Sequence, residues 1–377
     1  MAKILIIGGG FGGLITAERL SKSLDLESTH QITLVSPNNK FTFYPALVQL
    51  AFGEYEPGDI TFDLADKLNY LGVRYVHGKL LAVNPAKREV KVMGDDFDGT
   101  LEYDYLVIAT GRRLAIEKIP GFFENAHHFL GVTAALKFGD AVRNFKTGTI
   151  IVGMCPDSRL PVPVCETAFA LARKFENEIK DGRIQIKVIF PESLSAAFGG
   201  ANLHKELETA FKRHNINVLY DIPITEITPT EILSSKKHSI KYDLLMLVPP
   251  FKGHAALRST GATNEYDYLK VDDMMSVKGL ENTYAVGDIV AFSGPKFAHM
   301  AVRQANVAAE NILAEIDGKD AFSMYYHEIN AIIDEGGSNS IHLHYGIWDD
   351  TIFSLKRGTF WSWAKNIHDR FWQAKHS

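Results

Sequence analysis

Gly8-Gly9-Gly10-Phe11-Gly12-Gly13 is the stretch of sequence that decides the fold of this chain. It follows a short apolar run at residues 3–7 that has the character of a buried strand. Residues 12–23 after it have helical periodicity, and residues 31–35 have the composition of a second strand. The stretch therefore predicts a strand–helix–strand unit, which is typical of a parallel α/β sheet.

The spacing of the glycines in this stretch is that of a dinucleotide-binding loop. Gly8 would form the tight turn, Gly10 would let the backbone approach a pyrophosphate, and Gly13 would let the helix pack on the sheet. The amide groups and the dipole at the start of the helix favour the negative phosphates. We therefore expect Gly8, Gly10 and Gly13, together with Phe11, to contact a dinucleotide.

The residue that ends the second predicted strand departs from the usual pattern. Dinucleotide sites ordinarily have an acid there, which bonds the ribose hydroxyls. This chain has Ser36, followed by Pro37. A serine hydroxyl can also bond a ribose, so Ser36 and Pro37 are taken as cofactor-binding candidates.

Two later segments have the same strand-then-glycine character. A predicted strand at 105–109 ends in Thr110-Gly111, and another at 283–286 ends in Gly287-Asp288. The Asp288 carboxylate is well placed to bond a sugar-alcohol hydroxyl. If all three segments share one cofactor, its domain is discontinuous, formed by residues 1–115 and 271–320. Residues 116–270 then form a second domain and 321–377 a carboxy-terminal segment.

Together these segments resemble the two-dinucleotide-binding-domain flavoproteins, the pyridine nucleotide-disulfide oxidoreductase superfamily. Residues 41–45 (Phe-Thr-Phe-Tyr-Pro), 249–253 (Pro-Pro-Phe-Lys-Gly) and 294–296 (Gly-Pro-Lys) are similar to the branch of sulfide:quinone oxidoreductases, flavocytochrome c sulfide dehydrogenases and type II NADH dehydrogenases. The resemblance implies two Rossmann-like domains, FAD as cofactor, and Lys296 near the pyrimidine end of the flavin. It also makes Phe41, Phe43 and Phe251 candidates for quinone packing.

A second strand–helix unit begins near residue 148, where NADH-using relatives carry another glycine-rich loop. Here the loop from Gly153 to Glu166 keeps only its first glycine and contains three prolines. Proline offers no amide hydrogen, and bulky side chains keep a pyrophosphate away from the backbone. We interpret this as a lost nicotinamide site, which favours a donor smaller than NADH, such as sulfide.

The sulfide oxidisers of this branch use cysteines beside the flavin, which pass sulfur on as a persulfide. The usual position in this loop falls near Leu160, and residues 330–337 lack the usual partner cysteine. Cys155 and Cys165 are therefore the only candidates for thiol chemistry, with Lys296 as a further catalytic candidate. The alternative for Cys165 is a small buried apolar residue.

The end of the chain has the pattern of an amphipathic helix. Residues 360–372 place aromatic and aliphatic side chains at helical spacing, and residues 355–377 hold five Lys or Arg against one Asp. Such a helix suits a membrane surface, although docking on its own domain or on a second copy in a homodimer would also explain it. His342 and His344 lack further metal ligands at suitable spacing, so no metal is expected.

Composition and charge limit the possible partners and cellular locations of the protein. A net charge of −5 over 377 residues gives no reason to expect nucleic acid. Two cysteines suit a reducing compartment, and no stretch approaches the roughly 20 apolar residues of a membrane span. Arg112 and Arg113 are interpreted as surface cations unless they touch cofactor phosphates. The location expected is peripheral, on the cytoplasmic side of the cell membrane, or otherwise cytoplasmic.

The leading hypothesis is an FAD-dependent oxidoreductase resembling sulfide:quinone oxidoreductase, which passes electrons from a small donor through FAD to a membrane quinone. The alternatives are a type II NADH:quinone oxidoreductase, a non-catalytic flavin-bound redox sensor or subunit, and a subunit that delivers electrons to a cytochrome.

Overall fold

The computed structural model describes residues 2–25, 30–94, 97–236, 238–336, 339–361 and 363–365. Its strands are β1 (Ala2–Ile7), β2 (His30–Ser36), β3 (Lys40–Thr42), β4 (Thr61–Asp63), β5 (Arg74–His77), β6 (Lys79–Asn84), β7 (Glu89–Met93), β8 (Asp98–Glu102), β9 (Tyr105–Ile108), β10 (Arg113–Leu114), β11 (Gly148–Met154), β12 (Ile184–Ile189), β13 (Ile216–Leu219), β14 (Ile224–Ile227), β15 (Glu231–Ser234), β16 (Ser239–Lys241), β17 (Leu244–Val248), β18 (Phe251–Lys252), β19 (Thr283–Ala285), β20 (Glu328–Asp334), β21 (Ser340–Gly346) and β22 (Phe353–Gly358). Its helices are α1 (Phe11–Ser21), α2 (Leu47–Ala51), α3 (Leu64–Tyr70), α4 (Phe122–Asn125), α5 (Val132–Asn144), α6 (Pro161–Lys174), α7 (Glu176–Lys180), α8 (Leu194–Ala197), α9 (His204–Arg213) and α10 (Ala298–Ile316).

The first sheet joins strands from distant parts of the chain. Its order is β19-β9-β1-β2-β5, and every pairing in it is parallel. Residues 4–7 of β1 are all buried, as expected for a parallel strand covered on both faces. Ile7, Ile108 and Ala285 are register partners across β1, β9 and β19. The three segments predicted to share a cofactor therefore follow adjacent strands at the carboxyl edge, where α/β sheets bind ligands.

A second parallel sheet has the order β13-β12-β11-β17. Together the two parallel sheets confirm the α/β class and the repeated Rossmann-like architecture. The domain boundaries given above, 1–115 with 271–320, 116–270 and 321–377, stay predictions.

The strands between residues 74 and 108 divide between two sheets. β5 and β9 join the first parallel sheet, whereas β6, β7 and β8 form an antiparallel sheet. Short apolar runs in the sequence do not reveal which sheet they join. Helix α6 begins at Pro161, since proline is tolerated in a first helical turn.

After residue 320 the chain forms an antiparallel sheet of β20, β21 and β22. The buried carboxylate of Glu335 binds Arg213 of α9 at 2.8 Å and Arg357 of β22 at 2.7 Å. These ion pairs hold the sheet against the second domain and so position the end of β20 beside α6.

The carboxy-terminal helix expected over 360–372 is described only in part. Residues 359–361 and 363–365 are helical, and the rest of that segment lies outside the described residues. Within the described part of the chain, no helix has the length and apolar character needed to cross a bilayer.

Candidate functional site

The glycine loop after β1 has two glycines that the backbone requires and one that faces open space. Gly8 has a φ of +117°, and a Cβ there would overlap the carbonyl oxygen of Ala109. A Cβ on Gly13 would overlap the carbonyl oxygen of Gly8. A Cβ on Gly10 would meet nothing within 4 Å. The loop therefore packs tightly on the sheet and leaves room for a ligand at Gly10.

The start of α1 is prepared for a negative ligand. Gly10 is its N-cap, no side chain among the described residues caps it, and its first turn contains no acid. The first amide groups of a helix have no partners within the helix itself. Phe11, the first residue of α1, places its ring 5.1 Å from that of Phe41 and 5.8 Å from that of Phe43. The helix is thereby held with its amino end at the loop.

The segments after β9 and β19 complete the same edge. Thr110 has a buried hydroxyl oxygen with no hydrogen-bond partner among the described residues, and Gly111 has a φ of +65° with open space around its Cβ direction. Gly287 has a φ of +80° and donates its N–H to Gln304 Oε1 at 2.7 Å. A buried hydroxyl without a partner is costly, so Thr110 fits a polar ligand atom at this edge.

Arg112 lies at this edge and not on the open surface, so its interpretation as a surface cation was wrong. Its side chain is only 9 % exposed, and its Nε lies 3.0 Å from Asp288 Oδ2. Its guanidinium carbon lies 3.7 Å from the centroid of the Phe251 ring. The aromatic face and the carboxylate together hold this cation beside the predicted cofactor residues.

Lys296 and Arg159 add two further cations. Lys296 is buried, and its Nζ donates to the carbonyl oxygens of Val290 at 2.5 Å and Phe292 at 3.4 Å. Arg159 donates to the carbonyl oxygens of Gly294 at 2.6 Å and Phe292 at 2.5 Å. Burial lowers the pKa of Lys296 well below its ordinary value, and the nearby Arg159 adds to that effect. A negative group bound nearby would restore the charge of Lys296.

Tyr44 is 54 % exposed, and the protein packed around it raises the pKa of its hydroxyl, while the nearby Arg112 acts in the opposite direction. A tyrosine before a proline carries no local sequence signal of such a neighbour.

Ser36 and Pro37 are placed at the end of β2 as expected, but the Ser36 hydroxyl is engaged locally. It donates to the carbonyl oxygen of Asn38 at 3.0 Å and accepts the Asn38 N–H at 3.2 Å. The carbonyl oxygen of Pro37 contacts His77 Nε2 at 3.0 Å. Their contact with a ribose stays a prediction.

Phe41 and Phe43 are core residues. Each is almost fully buried, and Phe41 also stacks on Phe62 with ring centroids 4.9 Å apart. This burial leaves neither ring a free face for a quinone, so Phe41 and Phe43 are not proposed to contact one. Phe251 lies against Arg112, as described above.

The two cysteines are not paired. Both are free and fully buried, and they belong to different hydrophobic clusters, Cys155 with Ile119 and Phe122 and Cys165 with Phe169. Burial raises the pKa of both thiols, which opposes the thiolate that nucleophilic chemistry needs. The structure therefore gives no support to a dithiol of Cys155 and Cys165.

The loop between β11 and α6 has a filled turn and few free amide groups, and both features oppose the binding of a second nucleotide. The Ser158 hydroxyl contacts the carbonyl oxygens of Cys155 at 2.6 Å and Val248 at 2.8 Å, which fills the turn. Pro161 and Pro163 remove two amide donors from the first turn of α6. Burial raises the pKa of Glu192, which follows β12, and the negative charge of Asp157 adds to that shift. A pyrophosphate would meet few donors at this turn.

Sequence reasoning missed an ion pair at the junction of α6 and the carboxy-terminal segment. Glu166 is 5 % exposed, forms a salt bridge with Lys365 and accepts the N–H of Asp334 at 2.9 Å. Burial raises the pKa of Glu166, while Lys365 opposes that shift. One signal was present, because Glu166 is the only charged residue between positions 160 and 172. Lys365 lies 199 residues away, and no local pattern connects the two.

His342 and His344 lie on β21 and contact neighbours on β20. His342 Nε2 lies 2.8 Å from Asn330 Oδ1, and His344 Nε2 lies 3.1 Å from Glu328 Oε2. The His342 ring also stacks on Trp361, with centroids 3.9 Å apart. The pair therefore helps to hold the described part of the carboxy-terminal segment on the sheet.

Comparison with known proteins fits this arrangement of a glycine loop and two adjacent strand ends. Residues 2–156 and 164–305 match the pyridine nucleotide-disulphide oxidoreductase family. The chain belongs to this family. The family relationship is that of FAD-dependent oxidoreductases, and FAD is the cofactor of this protein.

Similar members of the family include two quinone reductases. The sulfide-quinone reductase of Aquifex aeolicus is 27 % identical over 341 residues, covering 84 % of this chain and 77 % of the relative. The demethylphylloquinone reductase NdbB of Synechocystis is 25 % identical over 366 residues, covering 92 % of this chain and 87 % of the relative. The chain thus resembles the sulfide:quinone oxidoreductase branch over most of its length.

Solved structures of the family share the fold. The sulfide:quinone oxidoreductase of Aquifex aeolicus superposes with a TM-score of 0.90 at 22 % identity, covering 100 % of this chain and 91 % of that one. NDH2 of Plasmodium falciparum, solved with NADH, gives a TM-score of 0.78 at 18 % identity, covering 100 % and 97 %.

The residues at the edge of the first sheet fit FAD. Gly10 leaves space before the uncapped amino end of α1, Thr110 offers an unpaired hydroxyl, and Gly287 allows close approach next to Asp288. The space and amides at α1 suit a pyrophosphate, and the Thr110 hydroxyl and the Asp288 carboxylate suit the hydroxyl-bearing ribityl chain that is joined to it. The assignment of single contacts to FAD stays a proposal.

Proposed function

We propose that this protein is a quinone reductase that takes electrons from sulfide and passes them to a membrane quinone. The observation that carries the proposal is the buried Glu166–Lys365 pair. Glu166 lies six residues beyond Leu160, which is about 9 Å along α6, and Arg159 contacts the loop that holds Lys296. Quinone reduction requires a proton donor, since a quinone takes up two protons with two electrons, and Glu166 is the buried acid of α6.

The roles of the protein groups follow from their positions. When bound, FAD supplies the two-electron carrier between donor and quinone. The amino end of α1 would hold the pyrophosphate, Asp288 would bond the ribityl chain, and Lys296 would place positive charge near the flavin. Glu166 would donate a proton to the quinone oxygen, and Lys365 would hold Glu166 in place.

The electron donor is proposed from the positive charge of the site and from the burial of its two thiols. Arg112, Arg159 and Lys296 provide positive charge, which favours a small anion such as hydrosulfide. The buried thiols of Cys155 and Cys165 do not support a persulfide carried on the protein.

NADH is the second candidate donor, and one observation favours it. Glu192 follows β12 of the second parallel sheet, where dinucleotide-binding proteins place the acid that bonds a ribose. The filled turn at Ser158 and the two prolines of α6 oppose it, because they remove space and donors for the pyrophosphate.

The described end of the chain is consistent with a proposed contact with a membrane surface. Phe360 and Trp363 are 60 % and 61 % exposed, and Lys356 and Arg357 lie nearby on β22. Exposed aromatic rings beside cations are favoured at the headgroup zone. We place the protein peripherally on the cytoplasmic side of the membrane, with the oligomeric state open.

Anaerobic mixing with each donor tests the assignment. We expect sulfide to bleach the flavin absorbance rapidly and NADH to bleach it slowly or not at all. Bleaching by NADH alone would contradict the sulfide assignment and establish the second candidate. A flavin that neither donor reduces would favour a redox sensor or subunit.

Replacing Lys296 by methionine is expected to make the flavin harder to reduce. A buried cation stabilises an anionic reduced flavin, and an interaction of this kind contributes a few kcal/mol at most in protein surroundings. We expect the midpoint potential to fall by about 30 to 60 mV, which is roughly 1.4 to 2.8 kcal/mol for a two-electron couple. Spectroelectrochemical titration measures this, with exposed Lys278→Met as the control. A potential that is unchanged in Lys296→Met would contradict the role of Lys296.

A further inference from the structure

A small polar cavity separates the end of α2 from α6 and β20. It is lined by Gln49, Glu54, Glu166, Arg173 and Asp334 among others, and its volume is about 10 Å³, measured as the space open to the centre of a water molecule. A cavity needs roughly 10 to 15 Å³ by this measure, and two to four polar partners, to hold one water. The cavity therefore has the size and the lining for a single water molecule.

The Gln49 side chain supplies independent evidence of an occupant. Its Oε1 is buried and has no hydrogen-bond partner among the described residues. Leaving such an acceptor unpaired costs roughly 1 to 3 kcal/mol, and most buried polar atoms are satisfied by protein or water. The backbone carbonyl oxygen of Gln49 accepts the N–H of Glu54 at 2.9 Å, and both residues line the cavity.

The two glutamates at the cavity differ in their access to solvent. Glu54 is exposed, whereas Glu166 is buried beneath Lys365 and the N–H of Asp334. A buried carboxylic acid that has given away its proton cannot take another directly from bulk water. Its proton must come through a neighbour, and Glu54 is the exposed acid that lines the same cavity.

We propose that Glu54 returns a proton to Glu166 through one water molecule in this cavity after Glu166 has protonated the quinone. The proposal rests on the proposed quinone reductase function. In this step the O–H bond of Glu54 breaks as its proton passes to the water, and the water gives one of its own protons to the Glu166 carboxylate. Glu54 then takes a proton from bulk solvent, so no electrons move and charge is conserved.

The charged groups around Glu54 suit this role. The protein packed around the Glu54 carboxyl has the largest effect and raises its pKa, Asp334 of β20 also raises it, and Arg173 of α6 and Lys365 of the carboxy-terminal segment lower it. The net direction is upward, so Glu54 keeps its proton at a higher pH than a surface glutamate. The rate of quinone reduction should therefore fall as pH rises through the raised pKa of Glu54, because the protonated donor is lost.

Replacing Glu54 by glutamine tests the relay. With pre-reduced protein, we expect Glu54→Gln to slow flavin reoxidation by a quinone analogue about 10-fold or more, in line with the loss of a positioned acid. The decrease of that rate as pH rises through the pKa of Glu54 should disappear in this variant. Reoxidation by ferricyanide, which accepts electrons without protons, should be unchanged. Added formic acid should restore part of the quinone rate, and Glu54→Asp should retain most of it.

Two further variants separate the relay from effects on folding. Glu124→Gln removes an exposed carboxylate of α4 and should behave like the wild type. Gln49→Leu removes the orphan acceptor and should slow the quinone step several-fold while Glu54 is intact. A quinone rate in Glu54→Gln and Gln49→Leu within twofold of wild type at every pH would overturn the relay but not the proposed function. A wild-type protein that quinone cannot reoxidise would overturn both.

Discussion

Replacing Gly10 by glutamate is expected to give a folded protein without FAD. Gly10 has a φ of −81°, which any residue adopts, and a Cβ there meets nothing within 4 Å. The added side chain would fill the space before α1 with bulk and negative charge, where a pyrophosphate needs positive dipole and free amides. The free energy of unfolding of the apoprotein should change by less than about 1 kcal/mol, as for most surface substitutions.

The ratio of flavin to protein absorbance after purification measures this, together with denaturant unfolding of the two apoproteins. Gly58→Glu is the matched control, because a Cβ on Gly58 also meets nothing within 4 Å and Gly58 lies outside the glycine loop. Gly58→Glu should remain yellow. Stoichiometric FAD in Gly10→Glu would show that the cofactor does not bind at the start of α1.

Replacing Glu166 by glutamine is expected to slow quinone reduction about 100-fold, the lower range for loss of a general acid. Glutamine can still accept the N–H of Asp334, so the local backbone should persist, but it donates no proton at neutral pH. Reduction of the flavin by the donor and the FAD content should be unchanged. Stopped-flow absorbance separates the two half-reactions.

Glu335→Gln is the control for removal of a buried, ion-paired carboxylate. It lies next to Asp334 and pairs with Arg213 and Arg357, away from Lys365. Both variants lose a buried salt bridge and are expected to lose roughly 3 kcal/mol of stability, so they should be assayed at a temperature where both remain folded. Equal quinone rates in the two variants would remove Glu166 from the mechanism.

The cofactor edge could be predicted from the sequence because its signals are local. Gly8, Gly10 and Gly13 lie within one turn, and Thr110 and Asp288 each follow a recognisable strand. The parallel sheet then brings these segments together through a topology that such folds share. Sequence reasoning therefore identified which strand ends meet, although it took Arg112 for a surface cation because nothing local reports the Phe251 ring above it.

The residues around Glu166 could not be predicted because their partners are distant in sequence. Glu54, Glu166, Asp334 and Lys365 come from four elements, and only packing of α2, α6 and the carboxy-terminal sheet joins them. The cysteines illustrate the same limit. Their thiol chemistry depends on how Cys155 packs just after β11 and on which face of α6 Cys165 occupies, and burial in two separate clusters could not be predicted from their spacing.

The most direct test of the central claim is the oxidation of photoreduced protein by a short-chain ubiquinone analogue without oxygen. We predict that the oxidised flavin spectrum returns at a rate that rises with quinone concentration and falls sharply in Glu166→Gln. A reduced flavin that persists in excess quinone, while ferricyanide still oxidises it, would contradict the assignment of this protein as a quinone reductase.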